Sequence, residues 1–226
     1  MILGRDKKIH GPRKEARMNL VIDGILKLST LVKALGKLPV ERTERTVGDR
    51  TFSQIVWEGS DLQKILSLPW GEIESMSEPL KIDGPMPGWF AGWFAVTFPF
   101  IELNSSDGFI PIQMLEFSSS GEGAGVLEWT TRNLEATDWT ILEFALTAPA
   151  ISARCLSDLY LPEIPQGAPV IVSGRGPIWL TASVAKSLGE FGHTVAVYQP
   201  GTGSTVVCLA DNDSGLSVGD VIPDNF

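Results

Sequence analysis

Val170-Ile171-Val172-Ser173-Gly174-Arg175-Gly176-Pro177-Ile178-Trp179-Leu180 is the stretch on which the reading of this chain turns. A β-branched apolar run reads as a buried strand. The two glycines after it permit positive φ and close backbone approach. Pro177 suits the first turn of a helix, where its missing N–H costs nothing. Strand, tight turn and helix are therefore expected in that order. The free amides of such a turn, with a helix N-terminus behind them, form an anion site, and Arg175 adds a charged fork. The same residues equally suit a tight connection carrying a surface arginine, and both readings stand at this point.

The pattern continues on both sides. Ile178–Phe191 reads as the helix, and Thr194–Tyr198 and Ser204–Leu209 as strands around a Pro-Gly-Thr-Gly turn, with a last extended piece over Val218–Ile222. Upstream, Val126–Arg132 and Trp139–Thr147 form a hairpin pattern, and Ile151–Leu159 a helix that ends before Pro162. In the first half, residues 20–35 recur at helical spacing up to Gly36, Val40–Val47 and Thr51–Trp57 alternate as a hairpin, and Leu62, Ile65 and Leu66 mark a short helix. Leu80–Ile82 and Phe109–Phe117 read as strands, while Phe90–Phe100 is apolar throughout and fits helix or strand. The composition class is α/β, more narrowly α+β.

Hairpin, helix, strand and glycine turn thus occur twice. Gly84, Pro87 and Trp89 precede Gly174, Pro177 and Trp179 by the same 90 residues. The Ser/Gly-rich Ser118–Gly125 is expected to be the linker, which divides the chain into a basic tail over 1–17, a first copy over 18–121 and a second over 122–226. Chance likeness between two α+β halves is the alternative. Pro85 stands where the second half has Arg175, so the charged fork is missing from the first. Trp89, Phe90, Trp93, Phe94, Phe98 and Phe100 follow it. They suit adenine stacking, or a buried core between the halves.

Composition narrows the partners. A 226-residue chain with 43% hydrophobic content is globular, and no apolar run is long enough for a bilayer, so no membrane partner is expected. No leader is recognisable, and Cys155 and Cys208 have neither disulfide nor metal spacing, which suits a cytoplasmic setting. The net charge is −9, and from residue 125 onward Arg132, Arg154, Arg175 and Lys186 stand against eleven acids, so no nucleic-acid duplex is expected on that surface. A small anion held by a few placed groups is compatible with it.

Residues 125–226 resemble the small CRISPR-associated ring nuclease of type III systems, whose hallmark is the Gly-Arg-Gly-Pro-Ile-Trp-Leu turn present here at Gly174–Leu180. Val195-Ala196-Val197-Tyr198, Val206-Val207 and Val218-Gly219-Asp220-Val221-Ile222 carry the likeness further. The resemblance implies a ferredoxin-like sandwich working as a dimer or stacked tetramer. It implies binding and cleavage of cyclic tetra-adenylate, a cyclic oligoadenylate second messenger, with manganese involved. Two tandem copies about a pseudo-twofold axis would be a covalent version of that dimer, although a homodimer of the present chain is also open.

Carried over residue by residue, the likeness gives ligand-binding positions at Ser173, Gly174, Arg175, Gly176, Pro177, Ile178 and Trp179, with Lys186 on the helix behind. The catalytic positions are altered. The family's Asp after the Tyr is Gln199, which orients but cannot accept a proton or replace a carboxylate at a metal. His193 survives as a possible base, or as a histidine of a Gly-His-Thr turn. The expectation is therefore either a weak phosphodiesterase or a binding or scaffold protein that kept the fold.

Overall fold

The computed structural model describes residues 20–44, 50–70, 73, 76–119, 121–134, 137–200, 202–211 and 214–223; the basic tail over 1–17 lies outside them. In chain order the elements are β1 (Val21–Ile22), β2 (Ile25–Lys27), α1 (Leu28–Ala34), β3 (Val40–Glu44), β4 (Arg50–Gln54), α2 (Gly59–Leu66), β5 (Leu80–Asp83), α3 (Gly88–Thr97), β6 (Ile101–Ser105) and β7 (Gly108–Pro111). There follow β8 (Glu116–Ser118), β9 (Glu122–Gly123), β10 (Leu127–Asn133), β11 (Thr140–Leu146), a 3-10 turn (Ala153–Asp158), β12 (Leu159–Pro162), β13 (Val170–Arg175), α4 (Ile178–Glu190), β14 (Val195–Gln199), β15 (Ser204–Leu209) and β16 (Val221–Ile222).

β13 lies inside a six-stranded sheet ordered β10-β11-β13-β14-β15-β16. Its pairings with β11 and β14 are parallel, and the outer pairs are antiparallel. Val170, Ile171 and Val172 are buried on both faces, as interior parallel strands are. The other large sheet, β1-β2-β5-β6-β7, repeats the pairing sequence antiparallel, parallel, parallel, antiparallel. The fold is α+β, a sandwich of mixed sheets and helices of the ferredoxin-like kind expected.

α3 is apolar all round and correspondingly buried all round, from Trp89 to Ala95. It packs along α4 and across β14 and β15 of the other sheet. Gly92 permits that approach, since a Cβ there would stand 3.2 Å from Val197, 3.3 Å from the Cys208 sulfur and 3.4 Å from Ala185. Trp57, Trp70 and Phe98 close rings around Phe90, Trp93 and Phe94. One continuous core takes side chains from both halves, and a smaller cluster of Ile141, Ile171, Ala196 and Val207 lies on the far face of the six-stranded sheet. The aromatic run is thus core, not a stacking platform; Phe100 alone of the six is well exposed. Among the described residues no helix is long and apolar enough to cross a membrane.

Four expectations are corrected. Residues 20–35 are not one helix: Asp23 and Gly24 have φ of 53° and 75°, the signature of a tight hairpin turn joining β1 to β2, and the helix begins only at Leu28. The hairpin expected over 40–57 exists as β3–β4, but as a two-stranded sheet of its own, so the first-half counterpart of β10–β11 is β1–β2. Ser118–Gly125 is not a free linker, because β8 and β9 pair with β12 on either side. The helix expected over 151–159 is a 3-10 turn, with the Ser152 hydroxyl accepting from the Arg154 N–H at 3.4 Å.

Two buried polar groups bear on stability. The Asp61 carboxylate, 1% exposed, caps α2 by accepting from the Glu58 N–H at 2.9 Å, and takes Lys37 and Lys64 as ion partners. Burial alone would raise its pKa, but the Lys37 hydrogen bond, the Glu58 N–H and Lys64 together outweigh burial and hold it below the usual carboxylate value. Cys208 is buried under α3, donating to the Trp89 carbonyl at 3.0 Å, and burial pushes its thiol pKa far up.

Candidate functional site

The site forms where β13 ends and α4 begins. β13 runs two residues further than the apolar pattern, through Gly174 to Arg175, which pairs with Ala145. Gly174 has φ of 145°, and a Cβ on it would stand 2.5 Å from the Phe144 carbonyl oxygen and 2.7 Å from the Phe144 ring. At Gly176 a Cβ would meet the same ring at 2.9 Å. Both glycines are therefore dictated by Phe144 of β11, a residue that no motif in the sequence singles out. Pro177 stands as the extended N-cap, with Ile178 as the first helical residue. The Leu180 N–H donates to the Pro177 carbonyl at 3.0 Å, while among the described residues nothing accepts from the Ile178 N–H.

Arg175 is exposed at the mouth of a cavity of about 350 Å³. Ser173, Gly174, Gly176 and Ile178 line it from the turn, Thr181 from the first turn of α4, and Tyr198 and Gln199 from the end of β14. A cation, a helix N-terminus with a free N–H, and neutral hydroxyl and amide groups converge there. That combination accepts an anion.

Gln199 is already in use. Its Oε1 accepts from the Gly88 N–H, the first amide of α3, at 2.9 Å. The donor fixes the orientation of the amide, so what Gln199 has left to offer is its NH2, a donor. The two glycine turns are alike in backbone: Gly84 has φ of 126°, and Pro87, like Pro177, is an extended N-cap. They differ in that the N-terminus of α3 is closed by Gln199 while that of α4 opens on the cavity. At the first turn a second cavity, of about 770 Å³, lies between α1 and Pro85–Trp89. Leu28, Val32, Ile55 and Trp57 are among its apolar lining, and it shares Met86 and Gln199 with the first.

The remaining expected site residues are not brought to this place. His193 is buried at the opposite end of β14, six residues and about 20 Å of strand from Gln199. Its Nδ1 donates to the Ala168 carbonyl at 2.9 Å, at a distance from the turn. Lys186 is buried two turns along α4, paired with Glu190 at 3.7 Å. Trp179 is buried in the core beside the turn. Among the described residues no group of three His, Cys, Asp or Glu could hold a metal ion. The donors at the turn do not fit manganese either: they are hydroxyls and an amide whose oxygen is occupied, next to a guanidinium.

Part of the chain is similar to a known family. Residues 145–223 match the family model of CRISPR-associated protein (Cas_csx3). The matched span covers about a third of the sequence, and runs from the end of β11 through the glycine turn, α4 and β14 to β16. The second half is thus similar to a CRISPR-associated family, and the turn that carries the cavity lies inside the similar region.

Proposed function

We propose that this chain binds a cyclic oligoadenylate, cyclic tetra-adenylate first among them, as a cytoplasmic accessory of a type III CRISPR defence system. The observation that carries the reading is the open helix N-terminus at Ile178, with Arg175 at the mouth of a polar cavity. The similarity of residues 145–223 to a CRISPR-associated family supports the setting. The matching strand pairings and glycine turns support two tandem copies within one chain, so that one molecule stands in for a dimer. A pseudo-twofold protein suits a ring with twofold symmetry.

The chemistry at the turn favours binding over cleavage. In-line attack of a ribose 2′-OH needs a base and donors for the phosphorane charge. Arg175 and the Ile178 N–H are suitable donors, but the described lining residues include no histidine or carboxylate that could take the proton. The chain is read as a binder in which turnover, where present, is slow. Titration calorimetry with cyclic tetra-adenylate tests this. One charge-assisted contact is worth roughly 1.5–3 kcal/mol, so Arg175→Ala should weaken binding about tenfold to a hundredfold. No heat at high micromolar ligand overturns the reading.

A further inference from the structure

The two cavities have unlike walls and a common partition. The one at Arg175 is polar and cationic at its mouth, and the one at the first turn is lined by Leu28, Val32, Ile55 and Trp57, with Ser29 and Lys33 at the rim. Met86 and Gln199 belong to both. In a strict twofold arrangement each glycine turn would offer the same anion site. Here Pro85 removes the cation from the first turn, and Gln199 fills the first amide of α3. Of the two glycine turns it is therefore the second that suits an anion, and at the first lies a largely apolar chamber of about 770 Å³, within the range of small-molecule sites.

We infer that the two chambers act as the phosphate half and the base half of one nucleotide site: the phosphate of an adenylate unit lies at Arg175 and its adenine enters the chamber walled by Val32 and Trp57. This rests on the oligoadenylate reading for the choice of base, but it asks less, since a single adenylate suffices. The ribose then crosses the partition at Met86 and Gln199. The Gln199 NH2, oriented by the Gly88 contact, donates to an acceptor of the passing nucleotide. The base gains by leaving water for apolar walls, while Lys33 at the rim faces any phosphate that follows. A ring messenger would on this view be gripped unequally, by one unit of the ring.

The test compares adenosine 5′-monophosphate with ribose 5-phosphate, which lacks the base, on the full chain by titration calorimetry. The wild type should bind the adenylate at least tenfold more tightly. Ser29→Trp, a change at an exposed residue of α1, should fill the chamber and bring the adenylate down to the level of ribose 5-phosphate. Val32→Glu should do the same by placing a carboxylate on the wall, and an unchanged melting temperature identifies whichever variant is folded. Arg175→Ala should weaken both ligands. Equal binding of the two ligands by the wild type, or an adenylate advantage that survives in a folded Ser29→Trp or Val32→Glu, overturns the inference, as does failure to bind either. Wild type that takes cyclic tetra-adenylate but shows no preference for the base refutes the two-chamber site alone. Wild type that prefers the adenylate yet ignores the ring refutes the messenger reading alone.

Discussion

Adding one methyl group at Gly174 should be among the most damaging small changes in the molecule. Two separate costs arise. The backbone has φ of 145°, where an L-residue carries strain of about 1–3 kcal/mol. The new Cβ would also stand 2.5 Å from the Phe144 carbonyl oxygen and 2.7 Å from its ring. That carbonyl belongs to the paired register of β11 and β13, where Phe144 faces Gly174, so it cannot move aside without opening the ladder. Overpacking of this type costs about 1–3 kcal/mol more. The total is roughly 2–6 kcal/mol, or roughly 5–20 °C in Tm at the 2–4 °C per kcal/mol of chains this size. Gly84→Ala carries the first cost with a milder second one, because its φ of 126° is comparable but its nearest neighbour is the Leu28 side chain at 3.1 Å. Gly192→Ala, with φ of 83° and nothing within 4 Å, is a second control. Urea and thermal unfolding of the three variants should rank Gly174→Ala as clearly the worst. If it falls no further than Gly84→Ala, the steric role assigned to Phe144 is wrong.

Gln199→Leu leaves the Gly88 N–H without its acceptor and should cost about 1–3 kcal/mol in urea unfolding, whereas Gln199→Glu should keep the stability and lower anion binding by placing a negative charge beside Arg175. Asp61 has a folded pKa below its unfolded value, so the stability it contributes is present above the unfolded pKa and is lost as pH falls through the folded one; Asp61→Asn should flatten that acid limb of the unfolding midpoint. Burial raises both thiol pKa values, Cys208 far more than Cys155, so a thiol reagent at neutral pH should leave Cys208 unlabelled in the native protein and reach both cysteines in urea.

The second half was legible because its signals are local and agree with one another: a β-branched run, two glycines, a proline and a helical period, all in one stretch. The first half was less so because two signals competed. Leu20, Leu28, Leu31, Val32 and Leu35 fall at helical spacing, and this hid Asp23-Gly24, a strong hairpin turn flanked by Val21, Ile22, Ile25 and Leu26. At the candidate site the turn was visible but its causes were not. Phe144 dictates both glycines from 30 residues upstream, and Gln199 reaches Gly88 across 111 residues, contacts that no local pattern encodes. The placement of His193 away from the turn was not legible, because chemical type says nothing about which end of a strand a residue occupies.

The seat of α3 on β14 and β15 has a consequence for how the protein is made. A helix at residues 88–97 finds the surface offered by α4, β14 and β15 only at 178–209, much later in synthesis. During translation the Gly92 face of α3 waits without that surface, while Phe90, Trp93 and Phe94 already have Trp57, Trp70 and Phe98 to pack against. Burial of that face of α3 is then a late step governed by long-range closure. A ribosome-bound chain stalled before β15 should accordingly recruit chaperones through α3, and release them once residues beyond 209 have emerged.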